Sequence, residues 1–320
     1  MPEQIGQQHG EALRAEIREV FNVYSDLWRI SSEQLDQAVL LSKVLTFKYF
    51  PSLDAEISGI AAGANLSDEQ VYAINARTEL LQGVSIPECS AVAVPKQQSY
   101  WDNLVVAQNW DWINSLKGLA RVVEINIPSK PKIKTLIEPG MVAKIGLNDA
   151  GLGLCVNFLE TKDGQNCGVP VHVLYRAILE CSTIEDACRT VVRVPHAAST
   201  HYLIGNNAGV FVSLEATPSE VSRQSVNNVF THTNSYSHHG EVCARQQLFM
   251  KALDECLQAH NGRLSFDDIN HALCSNGVRF PQFAIRGGVE TLAAIIINLK
   301  QKQMLVRDYD EKEFVMYCFR

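Results

Sequence analysis

The stretch IPECSAVAV at residues 86–94 marks the point where helical sequence gives way to strand-forming sequence. Upstream, apolar residues recur every three or four positions, the spacing of one helix face. They are Leu13, Ile17, Val20, Tyr24 and Leu27. Ser31 and Ser67 are each followed three residues later by glutamine, which predicts a capping box at two helix starts. The first eighty residues are therefore predicted to form a helical segment.

Beyond residue 88, short runs rich in Val and Ile, broken by Pro, Gly, Asn and Lys, predict β-strands. The first strands are predicted at 90–94, 104–108, 120–127, 134–138 and 152–158. Helices follow at 171–180 and 184–192, the second with a capping box of Ser182 and Glu185. Later strands are predicted at 202–205, 210–215, 229–233, 292–299, 303–306 and 314–319, with helices at 242–259 and 266–273 between them. Such blocks favour a layered α+β fold over a doubly wound sheet.

The composition is that of a soluble globular protein. Of 320 residues, 46% are hydrophobic and 20% charged, and the net charge is −7. Without a cluster of Lys and Arg, nucleic acid is not expected as a partner. No apolar run is long enough for a bilayer, and the first residues lack a signal pattern, so we expect a cytoplasmic protein without a membrane partner. The oligomeric state is not indicated by the sequence.

Several familiar sites are absent from the sequence. There is no G-x-G-x-x-G before a helix, no phosphate-binding P-loop, no H-E-x-x-H and no G-x-S-x-G. The nine cysteines are odd in number and never spaced C-x-x-C, which argues against a disulfide framework or a zinc ribbon. His238, His239 and Cys243 could bind a metal, but a loop leading into a helix explains them better. We therefore predict no metal and no tightly bound cofactor.

An ordered series of short motifs follows Cys89. The motifs are QNWDW at 108–112, IEPGMVAKIGLN at 137–148, Asn157, GVPVH at 168–172, LEATP at 214–218 and THTN at 231–234. In order and spacing the series resembles the acyl-coenzyme A:6-aminopenicillanic acid acyltransferase (isopenicillin N acyltransferase-like) family of N-terminal nucleophile (Ntn) hydrolases. The likeness runs from 75 to 316, about three quarters of the chain, and QNWDW is its most specific piece.

The resemblance implies a four-layer αββα Ntn-hydrolase sandwich and a chain that cuts itself between Glu88 and Cys89. Residues 1–88 would be a helical pro-segment, or small subunit, that remains associated after cleavage. Residues 89–320 would be the large subunit. The family pattern has glycine before the nucleophile. Glu88 is conformationally more restricted, so the efficiency of cleavage stays open.

Carried over by motif, Cys89 is the nucleophile, Asp111 its polar partner, Asn234 the oxyanion-hole amide and Arg286 an active-site arginine. The chemistry is reasonable in itself. After cleavage, Cys89 has its own α-amine, with a reference pKa of about 7.7–8.0, which can take the thiol proton. Asn234 can donate to the tetrahedral oxyanion. Asp111 would orient the ammonium or a water, and Arg286 could anchor a carboxylate.

The predicted function is a self-processing N-terminal-cysteine amide hydrolase or acyltransferase. Its partner would be a small acylated amine, attacked through an acyl-enzyme thioester. Two alternatives use the same chemistry. One is a dedicated N-acyltransferase with a coenzyme A thioester as donor, and the other is a hydrolase of β-alanyl-amine conjugates. An alternative of another class is a non-catalytic protein that keeps the fold.

Overall fold

The helical segment predicted before Cys89 is present in the computed structural model, which describes residues 1–28, 30–81, 89–159, 168–236, 243–275, 279–280, 288–308 and 310–319. Its helices are α1 (Pro2–Ala12), α2 (Arg14–Ser25), α3 (Ser32–Tyr49), α4 (Pro51–Ala64), α5 (Asp68–Asn75) and α6 (Arg77–Leu80). Both predicted capping boxes are confirmed. The Ser31 hydroxyl accepts from the Gln34 amide at 3.2 Å, and that of Ser67 from the Gln70 amide at 3.3 Å.

Helices α1 and α4 cross in very close contact because glycines lie on both sides of the crossing. A Cβ built on Gly6 would be 1.9 Å from the Glu56 carbonyl oxygen, and one on Gly59 would be 2.1 Å from that of Glu3. Gly10 and Gly63 repeat this contact one turn later. Only glycine permits backbones to approach so closely. The glycines therefore join the first helix firmly to the rest of the helical segment.

Two antiparallel sheets follow. The first, which we call the Cys89 sheet, has the strand order β10 (Phe230–His232), β1 (Ser90–Val94), β2 (Val105–Ile113), β12 (Val289–Asn298), β13 (Gln303–Asp308) and β14 (Val315–Cys318), with β11 (Arg279–Phe280) beside β12. The second, the meander sheet, runs in chain order: β3 (Arg121–Ile125), β4 (Ile133–Ile137), β5 (Ile145–Asn148), β6 (Leu152–Phe158), β7 (Thr200–Asn206), β8 (Phe211–Ala216) and β9 (Val221–Ser225).

The two faces of β1 belong to different cores. Ala91 and Ala93 lie in the large core that also contains residues of the meander sheet. Val92 and Val94 pack in a second core with side chains of α9 (Ala244–Ala259) and α10 (Phe266–Ser275). Such alternation is what a strand with both faces covered requires.

Helices α7 (Val171–Leu179) and α8 (Ile184–Val192) pack on the meander sheet. The Asn148 amide at the end of β5 donates to the carbonyls of Leu179 and Cys181, at 2.8 and 2.7 Å. With α9 and α10 on the Cys89 sheet, the order of layers is helix, sheet, sheet, helix. The predicted four-layer αββα sandwich with an N-terminal helical segment is confirmed.

Some predicted boundaries were wrong. The N-cap of α8 is Thr183, whose hydroxyl accepts from the Asp186 amide at 3.1 Å, so the cap lies one residue after the predicted Ser182. Strand β2 continues to Ile113 because Trp110 and Trp112 are buried with the core. Three strands were missed, among them the two-residue β11. β5 is short, and β9 is polar and largely exposed.

Two further features concern the described residues alone. No helix in these ranges has the length and hydropathy needed to cross a bilayer. None of the cysteines there forms a disulfide.

Candidate active site

Cys89 lies directly before β1, and its side chain is partly buried against the core between the two sheets. It continues the alternation that directs Ala91 and Ala93 into that core. The thiol donates to the backbone carbonyl of Asp111 at 3.7 Å, a distance suited to a weak S–H hydrogen bond. The cysteine is therefore held at a strand start, between sheets, by the neighbouring strand β2.

Asp111 is completely buried, and its carboxylate is fully engaged. One oxygen accepts from the guanidinium of Arg245 in α9, and the other from the hydroxyl of Thr291 in β12. Thr291 is also its register partner, next to a bulge in β12. The carbonyl of Asp111 thus reaches the thiol, while its carboxylate is held by α9 and β12. Asp111 was predicted to lie near Cys89; Arg245 and Thr291 were not predicted at all.

Asn234 follows β10, the other neighbour of β1. The pairing of these strands ends at Ala91 with His232, so Cys89 and Asn234 each lie two residues beyond the last pair. The Asn234 amide nitrogen donates to the carbonyl of Phe158, at the end of β6, over 2.6 Å. An amide nitrogen has two hydrogens, so one remains for a further acceptor. The amide oxygen of Asn234 is buried and has no hydrogen-bond partner among the described residues.

A buried polar network joins the two sheets next to Asn234. The Asn157 side-chain oxygen and the Ser213 hydroxyl lie 3.0 and 2.9 Å from the two ring nitrogens of His201. The His201 ring stacks on that of His232 at 3.5 Å, and His232 contacts Glu215 at 2.9 Å. Burial holds the pKa of His201 well below its usual value, and His232 lowers it further. A neutral His201 makes this network a rigid support for the ends of β6 and β10.

A second buried group, which we call the Glu138 cluster, comprises Tyr24, Arg77, Glu138, Lys144 and the rings of Trp110 and Trp112. The Glu138 carboxylate accepts from Arg77 at 2.9 Å, from Lys144 at 2.8 Å and from the Tyr24 hydroxyl. The Lys144 ammonium lies 3.5 Å from the centroid of Trp110, and the Arg77 guanidinium 3.8 Å from that of Trp112. The cluster joins residues from both sides of position 88.

The charged groups of this cluster shift one another's pKa. Burial would raise the pKa of Glu138, but the charges of Arg77 and Lys144 prevail and bring it down to about 2. Burial lowers the pKa of Lys144 to about 7, with Glu138 opposing the change and Arg77 adding to it. Burial, and then the charge of Asp111, raise the pKa of the Cys89 thiol, while Lys144 lowers it. Lys144 and Cys89 are therefore electrostatically coupled.

Some predicted residues lie outside the described ranges. These are Glu88 and Arg286, together with His238 and His239. Of the residues that were missed, Glu138 and Lys144 left a signal, because they are the only charged residues between Leu136 and Leu147 in an otherwise apolar stretch. Arg245 left none, because it meets Asp111 from 134 residues away.

The comparisons with known proteins agree with this geometry. Residues 100–304 match the family model of acyl-coenzyme A:6-aminopenicillanic acid acyl-transferase. The chain belongs to this family. The resemblance inferred from the motifs is thereby confirmed, and the family is one of enzymes. A relative, the 40 kDa form of acyl-coenzyme A:6-aminopenicillanic-acid-acyltransferase from Emericella nidulans, is 26% identical over 239 residues. The match spans 73% of this chain but only 66% of the relative.

Two solved structures share the fold. A mutant of conjugated bile acid hydrolase from Clostridium perfringens superposes with a TM-score of 0.57 at 11% identity, over 72% of this chain and 92% of that one. Penicillin V acylase from Agrobacterium tumefaciens superposes with a TM-score of 0.51 at 13% identity, over 71% and 85%. At such low identity the likeness concerns architecture alone, and it agrees with the Ntn-hydrolase sandwich.

Proposed function

We propose that this chain is a self-processing amide hydrolase or acyltransferase that uses Cys89 as an N-terminal nucleophile. The observation that carries the proposal is the position of Cys89 at the start of β1, between the two sheets, in a chain of the acyl-transferase family. The carbonyl of Asp111 lies at its thiol, and Asn234 follows β10, the strand paired with β1. A nucleophile with an acceptor and an amide donor beside it is suited to acyl transfer.

Maturation begins with attack of the Cys89 sulfur on the Glu88 carbonyl. The peptide bond becomes a thioester as the proton lost by sulfur passes to the departing nitrogen. Water then hydrolyses the thioester, leaving a carboxylate on Glu88 and a free thiol and amine on Cys89. No outside reagent other than water is consumed. Residues 1–88 and 89–320 become separate chains.

Turnover reuses the same sulfur. The new α-amine, with a reference pKa of about 7.7–8.0, accepts the thiol proton, and the thiolate attacks the substrate amide. The remaining amide hydrogen of Asn234 stabilises the oxyanion, an effect usually worth about 3–4 kcal/mol in the transition state. The protonated amine leaves, and water or a second amine takes the acyl group. In this scheme Arg245 and Thr291 fix Asp111, so that its carbonyl can orient the Cys89 amine. Arg286 stays a prediction from the sequence.

The two fragments are proposed to stay together. Asn75 of α5 donates to the carbonyl of Gly140 at 2.9 Å and accepts from the Val142 amide at 3.0 Å. Arg77 and Tyr24 contribute to the Glu138 cluster from the helical side. Because these contacts are buried, loss of residues 1–88 would expose charged and apolar groups at once. The N-terminal piece is thus a permanent small subunit in this proposal.

The substrate is proposed to be a small acylated amine. The name of the Emericella nidulans relative favours acyl transfer, with a coenzyme A thioester as donor, as the second candidate. Incubating the mature protein with an amide library, with and without an added amine acceptor, separates the two. Free acid alone indicates a hydrolase, whereas a new amide indicates a transferase. The library should include a β-alanyl-amine conjugate. We also propose that the reaction takes place in the cytoplasm.

Self-processing is tested by intact-mass spectrometry and N-terminal sequencing of the purified protein. We expect two masses, and a sequence that begins Cys-Ser-Ala-Val. A single 35.5 kDa mass with the original N-terminus would contradict self-processing and favour a non-catalytic protein with this fold.

A further inference from the structure

We propose that Lys144 is a positioning residue for Cys89. The positive charge of Lys144 stabilises the Cys89 thiolate in the chain that has not yet been cut. The inference rests on the proposed function, because it concerns the step that frees the Cys89 amine. Before that step Cys89 has no amine of its own, and a buried thiol gives up its proton reluctantly. A nearby buried cation is one way to stabilise the thiolate.

Lys144 lies on the face of the Cys89 sheet on which the Cys89 side chain packs. The register of β1 and β2 pairs Ser90 with Asn109, and Cys89 and Trp110 are the next residues beyond that pair. The Trp110 side chain is in the core between the sheets, where the Cys89 side chain also packs. The Lys144 ammonium lies over the Trp110 ring at 3.5 Å from its centroid. Cys89, Trp110 and the Lys144 ammonium therefore lie on the same side of the Cys89 sheet.

The net charge of the Glu138 cluster favours an anion near Lys144. The Glu138 cluster contains two cations, Arg77 and Lys144, and one carboxylate. Burial holds the pKa of Tyr24 far above its usual value, so the hydroxyl stays neutral. His172 is the other titratable group facing Glu138, and burial holds its pKa far below the usual value, so it is neutral as well. Asp111 is engaged by Arg245. With Lys144 protonated, the cluster carries one excess positive charge, which is costly in a buried site.

The excess charge is removed if Lys144 loses its proton, which agrees with its pKa of about 7, or if an anion forms nearby. Glu79, which interacts with Arg77, is one such anion above its pKa of about 7. The thiolate of Cys89 is another such anion. Its formation gives the cluster and the nucleophile together a net charge of zero. Arg77 enters this balance from residues 1–88, so the helical segment helps to set the reactivity of the cysteine.

The test follows cleavage of pulse-labelled chains from cell-free translation, over a range of pH. The cleavage rate of wild type should begin to rise at a lower pH than that of Lys144→Met. Lys144→Met should be at least tenfold slower at pH 7, and its rate should still be rising above pH 9. Lys144→Arg, which keeps the charge, should retain most of the wild-type rate at pH 7. The proposal is overturned if Lys144→Met has the same pH profile as wild type. It is also overturned if Lys144→Arg cleaves as slowly as Lys144→Met while its melting temperature equals that of wild type.

Lys134→Met is the matched control. Lys134 is also buried, is paired with Glu124 and lies 5.2 Å from the Phe319 ring, but it is in β4 and its contacts do not involve Cys89. Its cleavage profile should equal that of wild type. If neither wild type nor this control cleaves, self-processing itself has failed. In that case iodoacetamide labelling of Cys89, followed by peptide mass spectrometry, still decides the role of Lys144. Labelling should require a higher pH in Lys144→Met, and an identical pH dependence overturns the proposal.

Discussion

Arg176 of α7 and Glu56 of α4 form a two-pronged ion pair, with N···O distances of 2.7 and 2.8 Å, and both side chains are buried. They belong to opposite sides of the proposed cleavage point. Removing one partner of a buried pair leaves an uncompensated charge, which typically costs about 3–5 kcal/mol. Arg176→Leu should therefore lower the melting temperature markedly and weaken the association of the two fragments in size-exclusion chromatography. Arg189→Ala, which breaks an exposed pair with Asp186, should change little. Equal effects of the two substitutions would contradict this role of Arg176.

Cys89 should be needed for both cleavage and turnover. Cys89→Ala should leave a single 35.5 kDa chain on a denaturing gel, where wild type gives fragments of roughly 10 and 26 kDa, apportioned by length. Cys89→Ser should cleave slowly and turn over hardly at all, because a hydroxyl is a poorer nucleophile than a thiolate at neutral pH. Cys155→Ala is a suitable control, since that thiol is buried in β6. Full amidase activity in Cys89→Ala would exclude the proposed mechanism.

Asn234→Ala should lose about a hundredfold to a thousandfold in kcat, and in kcat/KM alike, because an oxyanion donor acts on charge that appears only in the transition state. Cleavage should persist at least in part. Asn148→Ala supplies the contrast, since the Asn148 amide links β5 to the end of α7. That variant should melt earlier with nearly normal kcat. A stability loss without a kinetic loss in Asn234→Ala would remove Asn234 from the proposed site.

Glu79 should make the protein less stable as the pH rises. Burial raises its pKa to about 7, against the opposing hydrogen bond from the Val171 amide at 2.8 Å. Between roughly pH 4.5 and 7 the folded chain keeps a proton on Glu79 that the unfolded chain has lost, so the free energy of unfolding falls with pH. Glu79→Gln, which retains an acceptor for Val171, should flatten this fall. Urea denaturation at pH 5 and pH 7.5 measures the free energy of unfolding. An equal fall in wild type and in Glu79→Gln would show that Glu79 is not the group responsible.

The sequence predicted those elements whose local pattern is complete. The bounds of β1 and β6 were predicted correctly because each is a buried run ended by a polar or turn residue. Strand β9 was missed because VSRQS, residues 221–225, has no apolar period. The partners of Asp111 and Glu138 were missed for another reason. Arg245 is 134 residues from Asp111, and Arg77 is 61 from Glu138, and no local pattern encodes pairing over such separations.

The position of β1 inside its sheet has a consequence for any chain end made at Cys89. Chain termini usually fray, because nothing holds their last residues. From Ser90 onward β1 is paired with β2, and from Ala91 with β10 as well, so it has a neighbour on each side. An end created there would be anchored in the interior of the sheet rather than at its edge. Because Ser90 is already fixed in the sheet, little backbone entropy would be lost when the amine is held in place for a substrate.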